Sequence, residues 1–355
     1  MKKFTAMLLC CLMVLSIAAC GNSAPAAAPA APAASAAPAD SAAPAAPTFK
    51  KMTWSAATAG AEGSNFAAGL EKFAELMAEK TGGAITVEVY PSDQLTNGNQ
   101  VDSLQALMEG TIDITFQADG IWSNFDPIFS VNQMPFLFST VEDADNRLIN
   151  GEGGKYESDL LESKFGVKCL GIGDNGFRYI TNNKRPVEKM ADLKGMKLRV
   201  GGSPLLLGCY DAWGADYTTA NWAEVYTGLQ TGLYDGQENP VAVVDASSIQ
   251  EVQKYVTAWT ANYSVMFMTM NGDLYNSLSP ELQAIVDECG KEACAYQVEL
   301  TRKECNDCLD KWVKDYGMQV TELTQEAIDE FKAAAAPVYE QFSQYNDLIT
   351  LLSEG

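Results

Sequence analysis

Arginine 199 is the residue whose type and surroundings point most directly to binding chemistry. It lies between Leu198 and Val200, so a strand here would hold its guanidinium on an apolar surface. A guanidinium stays charged at every relevant pH and pairs both oxygens of a carboxylate through parallel hydrogen bonds. Such a pair is stronger on a dry surface than in water. Arg199 is therefore predicted to bind a carboxylate.

Two other residues supply polar groups that suit the same ligand. Asn239 precedes a proline, and its amide can donate to a carboxylate or accept from a hydroxyl. Because Asn-Pro is also turn chemistry, a plain turn is the alternative. Arg178 falls on the preceding predicted strand, where a structural pair with an acidic side chain is the alternative.

Hydrophobic periodicity predicts the elements that must position these residues. Strands are predicted at 52–56, 85–89, 112–117, 168–172, 178–181, 196–200, 233–235 and 320–323. Helices are predicted at 66–79, 100–108, 140–149, 203–213, 222–231, 280–314 and 325–345, the last broken near Pro337. Strands alternate with helices in two successive sets, as in α/β proteins, which predicts two lobes with a cleft between them. The long helix from residue 280 is expected to brace both lobes.

Composition excludes several classes of function. The formal net charge is −22, so nucleic acid is a poor partner and an anion site must depend on local arginines. The chain has no histidine, which removes Ser-His and Cys-His nucleophile pairs and the HExxH zinc motif. No glycine-rich phosphate loop of the common types is found. The sequence therefore predicts no cofactor and no metal, and it supports none of these classes of enzyme.

The first 49 residues have the pattern of an export segment and a tether. Lys2 and Lys3 precede an apolar run that is shorter than a membrane span and ends in Ile-Ala-Ala-Cys. Residues 1–19 are therefore interpreted as a signal peptide. The Ala/Pro-rich residues that follow bury nothing, so 20–49 is predicted to be a tether and 50–355 the folded region. Lobe 1 is predicted at about 50–175 plus 265–300, and lobe 2 at about 176–264 plus C-terminal elements.

Several short motifs in this order carry a family resemblance. They are Phe73-Ala74-Glu75, Thr81-Gly82-Gly83, Tyr90-Pro91, Gln94-Leu95, Gly110-Thr111-Ile112-Asp113, Pro135-Phe136-Leu137-Phe138, and the segments 192–200 and 224–240. With them the chain resembles the solute-binding proteins of tripartite ATP-independent periplasmic (TRAP) transporters, the DctP-like group. The resemblance implies a two-lobed periplasmic-binding-protein-like clamp that hands an organic acid to the small and large TRAP membrane subunits. The Ile-Ala-Ala-Cys sequence resembles a lipobox, which implies that Cys20 is lipidated and anchors the protein to the membrane; an ordinary cleavage site is the alternative.

The resemblance also assigns roles to individual residues. Arg199 is similar in position to the carboxylate-binding arginine of the family, Arg178 to a second supporting arginine, and Asn239 to the asparagine of the Gln-Glu-Asn-Pro corner. Trp222 stands where the family has a residue lining the ligand, although a core tryptophan is the alternative. Gln117 and Asp119 fall where the first lobe contributes to the cleft.

One departure from the family lies between residues 216 and 221. The family commonly has a Pro-Thr-Pro type turn there, and this chain has Asp-Tyr-Thr-Thr-Ala-Asn instead. Tyr217 and Asn221 are therefore predicted as further ligand contacts, with a ligand preference different from that of simple C4-dicarboxylate binders.

Six cysteines remain in the predicted folded region, at 169, 209, 289, 294, 305 and 308. Disulfides are chemically possible outside the cell. Cys305 and Cys308 have CxxC spacing, yet they fall within a predicted helix and have acidic neighbours. They are interpreted as buried or paired structural cysteines.

Two alternatives to a transport role stay open from the sequence. A lipoprotein could present the bound acid to a membrane receptor as a sensor. An extracellular hydrolase could use two of the 46 acidic residues as paired carboxylates.

Overall fold

A computed structural model describes residues 49–354 of the chain. The predicted signal peptide, tether and lipidated Cys20 lie outside the described residues. The strands are β1 (Met52–Thr58), β2 (Ile85–Tyr90), β3 (Ile114–Ala118), β4 (Val167–Asn182), β5 (Lys197–Val200), β6 (Asp216–Thr219), β7 (Gly236–Pro240), β8 (Tyr255–Ala258), β9 (Tyr263–Asn271) and β10 (Gln319–Glu322).

The helices alternate with these strands along most of the chain. They are α1 (Asn65–Lys80), α2 (Gln100–Met108), α3 (Asp119–Trp122), α4 (Val141–Ala144), α5 (Glu152–Phe165), α6 (Pro204–Ala212), α7 (Trp222–Gln230), α8 (Val241–Ala246), α9 (Gly272–Ser277), α10 (Pro280–Tyr316), α11 (Gln325–Ala334), α12 (Ala336–Gln341) and α13 (Asn346–Glu354). Short 3-10 turns lie at Pro91–Thr96, Pro127–Gln133, Met190–Leu193, Ile249–Val252 and Ser343–Tyr345, and a π-helical turn at Asp145–Ile149.

The strands form a mixed sheet in the order β2-β1-β3-β9-β4-β7-β5-β6, and β8 pairs with both β4 and β10. Strand β4 joins the two parts of this arrangement. Its residues from Val167 to Phe177 pair antiparallel with β9, and those from Arg178 to Asn182 pair with β7 and β8. A single strand therefore carries residues that belong to both sides of the molecule.

Helix α10 packs closely on β4, and glycines permit the approach. A Cβ on Gly173 would lie 2.4 Å from Gln297 Oε1, and one on Gly290 would lie 2.6 Å from Leu170 Cβ. Gln297 also bonds the backbone of Asp174, accepting from its N–H at 2.9 Å and donating to its carbonyl at 2.7 Å. Asp174 lies where the regular pairing of β4 with β9 is interrupted, and these bonds fix the backbone of β4 at that point.

Buried apolar side chains form the core. The largest cluster includes an aromatic group of Trp213, Trp259 and Phe331, whose ring centroids lie 4.9–5.5 Å apart. A second cluster lies under α1 and α10, with Phe73, Leu70 and related residues. Such rings gain energy from edge contacts beyond the area that they bury.

The α/β fold class with a long C-terminal helix is confirmed. Helix α10 covers the range expected from residue 280. The strand predicted at 233–235 is wrong: Leu233 is 62% exposed, and the strand runs through Gly236–Pro240, all of which are buried. The strands predicted at 168–172 and 178–181 are one continuous strand, β4. The polar residues of β7 misled the assignment because buried strands are usually apolar.

The predicted lobe boundaries fall within β4 and β9 and stay predictions. All six cysteines of the described region are free thiols. Burial raises the pKa of Cys305 and of Cys308 to about 12, so neither is a reactive thiolate at neutral pH. Among the described residues, no helix is both long and apolar enough to cross a membrane.

Candidate functional site

A cleft lies between the end of β3 on one side and the ends of β5 and β7 on the other. Its empty volume is about 760 Å³, including the part open to solvent, and this lies within the range of small-molecule sites, ~300–1,000 Å³. Five of the predicted ligand-binding residues line it together: Gln117, Arg178, Arg199, Trp222 and Asn239. The tertiary structure thus brings together residues that span more than 120 positions of sequence.

Arg199 lies on β5 and is 5% exposed. Its Nε and Nη2 atoms donate to the carbonyl oxygen of Ala220, at 3.1 and 2.5 Å. Its Cζ atom lies 5.7 Å from the centroid of the Trp222 ring, within the range of a cation–π contact. The backbone before α7 and the first residue of α7 therefore hold the guanidinium in place.

Among the described residues, no carboxylate lies within 4.0 Å of the Arg199 guanidinium. Burial lowers the pKa of Arg199 to about 10, an effect that the charge of Glu238 opposes and that of Arg178 reinforces. The side chain is still protonated at neutral pH. A buried cation without a paired anion is energetically costly, and an anionic ligand would reduce that cost.

Arg178 has a different environment, because Glu238 pairs with it. Its Nε and Nη2 atoms donate to the two carboxylate oxygens of Glu238 at 2.5 and 3.1 Å, and Nη2 also donates to Asn239 Oδ1 at 2.9 Å. Burial alone would lower the pKa of Arg178, but the ion pair with Glu238 outweighs this effect and raises it. Arg178 therefore orients Asn239 and contributes little unpaired charge.

The opposite wall carries amide side chains. Gln117 is the residue before the last one of β3 and lines the cleft, and Gln133 and Asn175 line it as well. Asn175 lies at a bulge of β4, between the paired residues Asp174 and Gly176, where Gly176 has a φ of +105°. A bulge of this kind redirects a side chain out of the regular alternation.

Three helices begin at the cleft. Ser64 caps α1, Ser203 caps α6, and Trp222 is the first residue of α7. The N-terminus of a helix carries partial positive charge and free N–H groups. These helix ends therefore add partial positive charge to that of Arg199 on the cleft side of the molecule.

Three predicted contacts do not line the cleft. Asp119 is fully buried, where its carboxylate accepts from the Gly120 N–H, from Gln133 Nε2 and from Ser264 Oγ, each at 2.7 Å. Tyr217, on β6, is half-buried against the main core, and Asn221 is exposed before α7. Asp119 thus contacts Gln133, which lines the cleft, and reaches the site only indirectly.

Sequence reasoning missed several residues of the site. Glu238 was not singled out, although a buried acid beside Asn239 required a basic partner. Gln133 lies in a segment for which no helix or strand was predicted, and Asn175 falls between two predicted strands. The described residues hold no group of three or more metal-ligating side chains suited to a metal ion.

Comparison with known proteins places the chain in a family. The pattern of the family described as bacterial extracellular solute-binding protein, family 7 (DctP) matches residues 56–345. The chain is 32% identical over 261 residues to the 2,3-diketo-L-gulonate-binding periplasmic protein of Escherichia coli (strain K12), a match that covers 73% of this chain and 78% of that protein.

Solved structures of TRAP solute-binding proteins support the same family. A TRAP periplasmic solute-binding protein from Ralstonia eutropha H16 with bound (S)-2-acetolactate is 33% identical with a TM-score of 0.80, covering 85% of this chain and 98% of that one. One from Sulfitobacter sp. NAS-14.1 with bound β-D-galacturonate is 30% identical with a TM-score of 0.80, covering 86% and 100%. The family pattern spans well over half of the sequence, and the chain therefore belongs to the DctP-like solute-binding proteins of TRAP transporters.

Proposed function

We propose that this protein is an extracytoplasmic lipoprotein that captures an organic acid in the cleft through Arg199 and delivers it to TRAP membrane subunits for ion-coupled uptake. The observation that carries the proposal is the buried, unpaired guanidinium of Arg199. Its neighbour Arg178 is neutralised by Glu238, so among the residues described at the cleft Arg199 is the cation available for an anionic ligand.

The surroundings of Arg199 suit a carboxylate in particular. Two of its nitrogens are held by the Ala220 carbonyl, which fixes the plane of the guanidinium. A fixed planar fork favours a planar carboxylate over a spherical anion. Arg199 lies over the Trp222 ring and is largely buried, so water weakens an ion pair less here than at the surface.

Asn239 completes this side of the site. Its Oδ1 accepts from Arg178 and its Nδ2 donates to Gln237 Oε1 at 2.9 Å, so both ends of the amide are held. In the proposal this residue forms a rigid wall beside the carboxylate, positioned by Arg178. Rigid placement reduces the ordering cost of binding.

Relatives support an organic acid as the ligand. The proteins matched above are named for or hold 2,3-diketo-L-gulonate, 2-acetolactate and galacturonate. All three are carboxylates at neutral pH. We therefore propose a carboxylate as the ligand of this chain. The other chemical groups of those ligands are not transferred to it.

Closure of the cleft requires contacts on both sides. Arg199 comes from one wall and Gln117 from the other. A ligand that touched only one wall would not shift an equilibrium between open and closed forms, however tightly it bound. In the proposal the carboxylate is captured first by Arg199, and closure then brings the Gln117 wall over the ligand.

The test is a thermal-shift and calorimetric screen of purified protein against monocarboxylates, dicarboxylates, oxo acids, sugar acids and uncharged sugars. A binding acid at about a hundredfold excess over its dissociation constant adds roughly 2.7 kcal/mol of stability. Arg199→Ala should lose this response, and Arg199→Lys should recover only part of it because lysine lacks the planar fork. Lys197→Ala is the matched control, since Lys197 is exposed on the same strand.

The outcomes are distinct. If an acid stabilises Arg199→Ala as strongly as the unchanged protein, Arg199 is not the anchor and the proposed binding mode fails. Transport and sensing are separated by uptake of the labelled acid into cells with and without the TRAP membrane subunits. Uptake independent of those subunits would contradict the delivery step.

A further inference from the structure

A second cavity adjoins the cleft and shares residues with it. Its empty volume is about 700 Å³, including the part open to solvent. Trp222, Gln100 and Ser247 line both spaces, so the second cavity continues from the cleft past the tryptophan that lies beside Arg199. A cavity of about 150 Å³ is enough to bind benzene. The second cavity therefore has room for a ring at the far end of a ligand whose carboxylate lies at Arg199.

Helix α7 supplies an aromatic wall to the second cavity. Trp222 and Tyr226 are four residues apart on this helix, so their side chains lie next to each other on one face. Both line the second cavity, and both are only partly buried. The small side chains of Ala59, Ala61 and Ala223 line the same space and leave it open in front of the two rings.

The facing wall is the loop of residues 91–99, which follows β2 and has an unusual backbone. Ser92, Asp93 and Asn97 have φ angles of 55°, 46° and 53°, values that residues other than glycine rarely adopt. Gln117 Nε2 donates to Asp93 Oδ1 at 2.7 Å and ties the loop to β3. Strained backbone of this kind is concentrated at ligand-binding sites and persists only where neighbouring groups hold it.

The same loop reaches α7 at a glycine. Gly98 has a φ of +81°, and a Cβ on it would lie 3.1 Å from the Cβ of Ala223. The loop backbone therefore packs directly against the first turn of α7 and closes one side of the second cavity. A ligand that extends from Arg199 into this space would contact α7 on one side and the loop on the other.

The polar groups of the second cavity offer few hydrogen bonds to a ligand. Three polar side chains line it without also lining the cleft: Ser92, Asp93 and Tyr226. Tyr226 Oη donates to Glu251 Oε2 at 3.4 Å, Asp93 is 1% exposed and bonds Gln117, and Ser92 is exposed to solvent. A hydroxyl buried without a partner is costly, whereas an aromatic ring gains free energy when it is buried against other rings. The second cavity therefore suits a ring better than a polyhydroxy chain.

We infer that the second cavity is a subsite for an aromatic ring, so that the protein binds an aryl-substituted carboxylic acid with its carboxylate at Arg199 and its ring between α7 and the loop of residues 91–99. The inference rests on the proposed function, because the carboxylate is placed at Arg199. Tyr226 is then a specificity-determining residue, since it lines the subsite and not the cleft.

The first test compares ligands by titration calorimetry with the purified protein. The probes are benzoate, phenylacetate, 3-phenylpropanoate and 4-phenylbutanoate, each beside the acid that lacks the ring, together with a hexuronate. We expect at least one aryl acid to bind at least about tenfold more tightly than its ring-free counterpart and than the hexuronate, because its ring is buried. The inference is overturned if no aryl acid gains this factor from its ring, or if the hexuronate binds more tightly than every aryl acid.

The second test uses variants of the subsite. Tyr226→Ala should weaken the tightest aryl acid by about tenfold and leave the tightest acid of five carbons or fewer within about twofold. Tyr226→Phe keeps the ring and should bind both acids like the unchanged protein. Thr227→Ala is the matched control, because Thr227 is the next residue of α7, is exposed and lines neither space. Equal losses for both acids in Tyr226→Ala, or no loss for the aryl acid, would refute the subsite.

Arg199→Ala separates failure of this inference from failure of the proposed function. If the ring adds nothing but the tightest acid of the panel no longer binds to Arg199→Ala, the carboxylate site stands and the aromatic subsite is wrong. If the tightest acid binds equally well to Arg199→Ala, both proposals fall.

Discussion

The Arg199 guanidinium carbon lies 5.7 Å from the centroid of the Trp222 ring, at the point where helix α7 begins. The same guanidinium is held from the side by the carbonyl of Ala220, two residues earlier. One short segment before α7 thus both orients the cation and covers one of its faces.

Replacement of the tryptophan should therefore weaken acid binding directly. A cation–π contact contributes about 0.5–2 kcal/mol, so Trp222→Ala should reduce the affinity for the bound acid by roughly 2- to 30-fold. Trp222→Phe keeps an aromatic face and should lose less. Titration calorimetry measures both; equal affinity in Trp222→Ala and the unchanged protein would show that the ring does not support the site.

The Arg178–Glu238 pair should matter for stability as well as for binding. Glu238→Gln leaves a buried guanidinium without its anion, which costs about 3–5 kcal/mol. Asp159→Asn removes an exposed pair with Lys155 and should cost less than about 1 kcal/mol. Urea unfolding of the two variants gives the comparison, and similar losses in both would contradict the assigned difference in burial.

Asp93 should give stability an unusual pH dependence. Burial raises its pKa from 3.8 to about 6, so the folded protein holds this proton more tightly than the unfolded chain. The stabilisation from that proton is complete below about pH 4 and is lost as the pH rises through about 6. The difference corresponds to about 3 kcal/mol.

The measurement is the free energy of unfolding of the unchanged protein minus that of Asp93→Asn, determined from pH 4 to pH 7. This difference should fall by roughly 2–2.5 kcal/mol over that range, since part of the total is already lost at pH 4. The subtraction cancels the pH-dependent contributions of the other carboxyl groups to the free energy of unfolding. These include Asp119, whose pKa burial also raises to about 6. A difference that stays constant or increases with pH would rule out the buried, hard-to-ionise state of Asp93.

The proposed lipid anchor depends on Cys20. Cys20→Ser should move the protein from the membrane fraction to the soluble fraction and abolish incorporation of labelled fatty acid. Cys11→Ser is the matched control, because Cys11 falls in the segment that the proposal removes. Retention of Cys20→Ser in the membrane fraction would show that another feature holds the protein there.

Sequence patterns predicted many of the helices and strands because amphipathic periodicity is contained within each segment. Helix α2 begins and ends where the periodicity predicts, and α10 extends only slightly beyond its predicted end. Strand β7 was misplaced because Gly-Gln-Glu-Asn-Pro is polar, yet every one of its residues is buried. Such a strand is stabilised by partners elsewhere in the chain, chiefly Arg178, and a local pattern does not show them.

By itself, the sequence determined the class of protein, the export pattern and the identity of Arg199 as the candidate anchor, because residue type, order and spacing are local properties. Only the tertiary structure decided which cation is free. Arg178 and Arg199 look alike in sequence, but 60 residues after Arg178 the chain returns with Glu238 and neutralises it. The structure likewise placed Asp119 behind Gln133 and away from the cleft. Pairing and burial depend on contacts between distant segments, and these exist only once the chain is folded.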